Sequence, residues 1–112
     1  MTTRLLPDDP LNFIRDCVQS GRLFWTYHVN MRMGRRSIGR QEVLASVDNY
    51  EIIVTNLEDK YLPSYLVWMR HGDSVIHVLF ATDVEAGVVR VVTAYRPALS
   101  EWTTDMKRRL KR

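Results

Sequence analysis

The chain has 112 residues, room for one domain with one core, and its 46% hydrophobic and 26% charged residues are those of an ordinary globular protein. A lone cysteine, Cys17, excludes an intrachain disulfide, argues against a structural zinc site and fits a reducing compartment. The net charge of +3 dictates no partner by itself, and with no secretion signal and no uncharged apolar stretch near ~18 residues, a cytoplasmic location and no membrane contact are expected.

The elements follow in chain order. Asp9 before Pro10 is a helix start, an acceptor at the cap and proline at the first helical position. Leu11, Ile14 and Val18 then form an apolar stripe, with Phe13 and Cys17 beside it, and Gly21 closes a helix over 10–20. Phe24 and Trp25 read as an apolar hinge. Thr26 can cap a second helix over 27–35, with Val29 and Met33 turned inward. "GRQEVLASV" reads as a third helix with Val43, Leu44 and Val47 facing in, and "DN" at 48–49 as a turn.

From Tyr50 the period changes. "EIIVTNL", "SYLVWMR", "SVIHVLFAT" and "VVRVVTAY" are strand-like, rich in β-branched and aromatic residues. The short links "HGD" and "DVEAG" demand antiparallel pairing of the last three. The expectation is a single α+β domain over 1–112, with two or three N-terminal helices packed on a four-stranded, mainly antiparallel sheet. Its ordered core spans about 9–103, with a Ser100-capped helical turn near the end and a solvated basic tail over 104–112.

The excess positive charge is uneven. "RMGRRSIGR" holds four arginines and no acid, and "MKRRLKR" holds five cations and no acid. On a helix turning about 100° per residue, His28, Arg32, Arg35 and Arg36 fall within an arc of about 100°, one polar stripe bordering the core. That set suits a phosphodiester. Guanidinium groups fork onto phosphate oxygens at any working pH, and an imidazole passes protons near neutrality. The bland reading is a solvated helix side.

Four residues outside the helix join the candidates. His77, inside "VIHVLF", shares a face with Val75, Leu79 and Ala81; it is a hydrogen-bonded semi-core residue unless its face is the open one. Arg90, inside "VVRVV", alternates onto the side of Val88, Val92 and Ala94, where it must reach water or pair with an acid. Tyr95 could hydrogen-bond phosphate or stack on a base. Arg96 points to the opposite face, so the two cannot line one face without a bulge. Trp102 reads as a lid. No P-loop, GxGxxG, HExxH or GxSxG is present, Cys17 lies on an apolar helix face, and the acidic pairs Asp8–Asp9 and Glu58–Asp59 sit in turns. No cofactor and no metal are expected.

The pattern "HVNMRMGRRSIGRQEV", "VIHVLFA", "VVRVVTAYRP" and "EW" resembles a bacterial family catalogued as a domain of unknown function, number four-two-five-eight. The positions that carry the resemblance are His28, Arg32, Met33, Arg36, Ile38, Glu42, Val43, His77, Thr93, Tyr95, Pro97 and Trp102. They cover about 22–102. Ser37 stands where the family usually has a small residue or glycine after the last arginine. The family is similar to RelE-like and BrnT-like toxins, small α+β ribonucleases without a metal whose members often lie beside an antitoxin-like partner. The resemblance implies a toxin-type, metal-independent endoribonuclease acting on RNA. His28, Arg32, Arg36 and Tyr95 would be catalytic, with Arg35, Arg40, Arg90, Arg96 and His77 on the nucleic acid. Two other readings stay open. One is a binding module without chemistry. In the other the arginines brace the helices against Glu42, Asp48 or Glu51, and the role lies in a homo-oligomer contact.

Overall fold

A computed structural model describes residues 5–110. The helices are α1 (Pro10–Gln19), α2 (Tyr27–Arg35) and α3 (Arg40–Ala45), with a short 3-10 turn at Val47–Asn49. The strands are β1 (Leu23–Trp25), β2 (Glu51–Asn56), β3 (Ser64–His71), β4 (Ser74–Asp83) and β5 (Val88–Tyr95). They form one five-stranded sheet in the order β1-β5-β4-β3-β2. The fold is α+β, and the sheet departs from expectation in one strand. The expected hinge at Phe24–Trp25 is part of β1, which pairs parallel to β5, with Leu23 opposite Val89 and Trp25 opposite Val91. Three residues are too few for an alternation signal, so only the pairing reveals this strand.

Local chemistry fixes the helix ends. Asp9 accepts from Asn12 N at 3.1 Å and Thr26 from Val29 N at 3.2 Å, capping α1 and α2. Both helices close with the same pair of backbone bonds. After α1, Gly21 N reaches Val18 O and Arg22 N reaches Cys17 O. After α2, Ser37 N reaches Gly34 O and Ile38 N reaches Met33 O. This closure needs a left-handed residue. Gly21 supplies it freely at φ +75°, whereas Ser37 holds φ +57° with a side chain attached.

The helices cover one face of the sheet. Tyr65, Val67 and Met69 of β3, Ile76, Val78 and Phe80 of β4, and Val89, Val91 and Ala94 of β5 pack there against Ile14, Cys17, Val18, Val29, Met33 and Val43. Leu44, expected to face in, is exposed, because α3 is too short to turn a second row onto the sheet.

The other face is covered at one end only. After β5 the chain turns at 98–101 and returns as a hairpin in which Trp102 pairs with Arg109. This strap stands in place of the expected helical turn, and the expected tail, as far as Leu110, is folded back while Thr104, Asp105 and Arg108 to Leu110 stay exposed to solvent. Trp102 is 2% exposed. The Trp68 indole donates to Asp105 O at 3.0 Å, and Lys107 pairs with Glu51 at 3.3 Å while lying 4.5 Å from the Trp68 ring.

Candidate nucleic-acid interface

A bulge in β5 decides which residues share the strap-side face. Leu79 pairs with Thr93 and Phe80 with Val91, so Val92 is an extra residue in the strand. Beyond it the alternation flips. Arg90 opposes Ala81 and Tyr95 opposes His77, and residues 77 and 81 of β4 point the same way. Arg90 therefore shares a face with Tyr95, not with Ala94 as plain alternation would have it; Ala94 is in the core.

At the strap end of this face, His77 is fully buried. Its Nε2 lies 2.7 Å from Met106 O, so Nε2 carries the proton, and Nδ1 accepts from the Tyr95 hydroxyl at 3.2 Å. The Trp102 ring stands edge-on at 4.5 Å. Burial pulls the imidazole below the ordinary histidine range; the Met106 bond opposes this and Arg109 adds to it. Burial likewise pushes the Tyr95 phenol up. A buried, neutral His77 cannot reach nucleic acid, and Tyr95 is engaged as its partner. Both are candidate site residues; the strap removes His77 from the surface, while Tyr95 stays partly exposed with its hydroxyl on His77.

The candidate arginines divide. Arg36 donates to Ala94 O at 2.7 Å. Arg96 answers with bonds to Arg36 O at 2.8 Å and Ser37 O at 3.1 Å and an ion pair with Glu42 at 3.4 Å. Together they clasp the end of β5 to the α2–α3 junction. Arg40 donates twice to Asn30 Oδ1, at 3.0 and 2.7 Å, with its guanidinium 5.1 Å from the Trp25 ring. These three make framework contacts while remaining exposed. Arg32 and Arg35 are exposed in the last turn of α2, where cations complement the helix dipole. Neither has an ion pair among the described residues.

The uncovered end of the strap-side face is different. His28 in the first turn of α2 and Arg90 on β5 line a shared cleft of about 400 Å³ with Thr26, Asp59, Tyr61 and Ala81. The Arg90 guanidinium lies 5.6 Å from the ring of Phe24, its partner across the β1–β5 pair. The Asp59 carboxylate receives the Ser64 hydroxyl at 2.6 Å and the Lys60 amide at 2.9 Å. Arg32 stands one helical turn beyond His28, about 40° around the axis. The cleft thus offers an imidazole, a guanidinium and a carboxylate, a set able to hold an anion and exchange its protons.

Phe24, Asp59 and Tyr61 were missed by sequence reasoning. Asp59 was set aside as a turn acid, Phe24 belongs to the unseen strand, and Tyr61 sits in a loop whose return over β4 needs the sheet order. No group of three or more His, Cys, Asp or Glu side chains among the described residues is placed to hold a metal ion. No helix among them is long and apolar enough to cross a membrane.

Residues 25–96 match the model of a family described as a domain of unknown function, DUF4258. The chain belongs to that family. No curated protein matches the chain, and no solved structure does. The DUF4258 match begins at β1's last residue and stops at Arg96. It therefore contains His28, Arg90, Asp59 and both halves of the Arg36–Arg96 clasp, and leaves out α1 and the strap.

Proposed function

We propose that this DUF4258 protein is a toxin-type, metal-independent endoribonuclease, restrained in the cell by an antitoxin-like protein that covers its basic surface. The observation that carries the reading is the convergence of His28 and Arg90 on one cleft, with Arg32 a turn away. The resemblance to small α+β toxins such as RelE supports it. In the proposed step the RNA 2′-oxygen attacks the adjacent phosphorus. The phosphorus–5′-oxygen bond breaks, leaving a cyclic phosphate and a 5′-hydroxyl. Arg90 and Arg32 hold the phosphate and its developing charge. His28 either takes the 2′-hydroxyl proton or delivers one to the departing 5′-oxygen, and water carries the other. Arg36, Tyr95 and His77, first candidates for the chemistry, act here as framework.

The test is cleavage of RNA by purified protein in EDTA. His28→Ala is expected to lower the rate by about 10²–10⁴ with an unchanged far-UV spectrum. Wild-type protein that cleaves no RNA, or a His28→Ala variant as active as wild type, overturns the enzyme. One observation favours a second reading, an RNA-binding module without chemistry. His77, the other imidazole on this face, is enclosed under the strap with both nitrogens bonded, which leaves His28 as the imidazole lining the cleft. Salt-sensitive binding without a product identifies that case.

A further inference from the structure

The strap-side face treats its two ends differently. At the strap end every aromatic ring is engaged: Trp102 is buried on His77, Trp68 lies beneath Lys107, and Tyr95 is bonded to His77. Toward the cleft end rings remain in water: Tyr27, 74% exposed, stands against His28, and two others lie beside cations. Phe24 is 53% exposed and Tyr61 82% exposed. Each has a cation at its ring, Arg90 at 5.6 Å from Phe24 and Lys60 at 5.2 Å from Tyr61. Tyr61 and Arg90 line the cleft together, and Phe24 is the cross-strand neighbour of Arg90. Rings left exposed beside a cleft whose walls are mostly apolar, with His28 and Arg90 among them, mark a contact surface, and a ring beside a cation is the arrangement that takes a base on its face and a phosphate alongside.

We infer that the cleft accepts single-stranded RNA, with bases unstacked from the strand and laid on Phe24 and Tyr61 while Arg90 holds the phosphate between them. This rests on the reading of the cleft as an RNA site. An A-form duplex keeps its bases paired and offers the protein phosphates and 2′-hydroxyls, so it can meet Arg90 but not the two rings. The rings are therefore selectivity determinants for strandedness. They touch neither the 2′-oxygen nor the leaving group, and they act on binding rather than on the bond-breaking step.

The experiment measures anisotropy of fluorescein-labelled, 2′-O-methylated RNA, which cannot be cleaved. The probes are a short oligouridine, a duplex of the same length and an abasic strand with the same backbone. Wild-type protein binds the oligouridine about tenfold or more tighter than the duplex or the abasic strand. Phe24→Leu and Tyr61→Leu, which keep bulk but remove the π face, each weaken oligouridine binding by about fivefold to a hundredfold and leave the duplex unchanged. If oligouridine and duplex bind alike and neither substitution matters, the inference falls while the RNA site stands. If no probe binds, the RNA reading itself falls and the inference with it.

Discussion

Trp102→Ala tests whether the C-terminal strap belongs to the folded unit. The ring is 2% exposed, stands on His77 at 4.5 Å and carries the Arg109 guanidinium at 5.0 Å. Removing a buried tryptophan costs about 3–5 kcal/mol, from the lost transfer energy and the cavity left behind. A domain of this size is stable by about 5–15 kcal/mol, so the variant folds but loses a large part of its margin. At about 4 °C per kcal/mol the melting midpoint falls by roughly 12–20 °C. The assay is urea unfolding followed by far-UV circular dichroism, because the substitution also removes a fluorophore. The expected result is a lower midpoint with an unchanged slope. A loss below about 1 kcal/mol would mean that the strap detaches in solution, and that His77 is open to solvent and again a candidate for the site.

Other expectations concern the framework and its titration. Ser37→Gly relieves a left-handed serine and is expected to stabilise by about 0.5–1 kcal/mol in the same assay; a loss would mean that the serine side chain contributes to the α2–α3 junction. Arg36→Ala removes the guanidinium bond to Ala94 O and costs about 1–2 kcal/mol, whereas Arg32→Ala stays within about 0.5 kcal/mol; equal losses would undo the division of the arginines. For His77 the folded pKa lies below the unfolded value of about 6.5, so the unfolded chain binds the proton first. Its contribution is complete above that value and declines as pH falls through it toward the folded pKa. Unfolding midpoints measured across pH should therefore drop on acidification, and His77→Gln should flatten the upper part of that slope. An unchanged profile would place the neutral-to-acid loss elsewhere.

Much of the fold was legible in the sequence because its signals are local. Asp9-Pro10, Thr26 and the switch of period at Tyr50 mark element ends by chemistry confined to a few residues, and the helix over 27–35 and the strand over 88–95 fall where those signals put them. Two features escaped because they are set by partners. β1 exists through its pairing with β5. The bulge at Val92 is invisible in a run of valines, since nothing in "VVRVVTAY" says which residue is extra, and every facing assignment beyond it changes parity. The site was legible in kind but not in membership. A cationic helix side beside a histidine was visible; which arginines were already engaged was not, because their acceptors are carbonyls and acids about sixty residues away, Ala94 for Arg36 and Arg36 and Glu42 for Arg96.

That division also explains why the uncovered end of the face is the better place for chemistry. A group that transfers protons must be reachable and must not already hold its partners. His77 meets neither condition, with both nitrogens bonded and no exposed surface. His28 is exposed, and its one ring contact among the described residues is an edge-on meeting with Tyr27 at 6.2 Å. The same test sorts the cations. Arg40 and Arg96 each place two or more donor bonds on protein oxygens and Arg36 one, while the Arg90 side chain rests on an aromatic ring and makes no hydrogen bond or ion pair among the described residues. The clasp then has an indirect part in the site. By tying the end of β5 to the end of α2, Arg36 and Arg96 fix the helix that carries His28 against the strand that carries Arg90. A charge cluster that looks continuous in sequence is, in space, a frame and the site it holds in register.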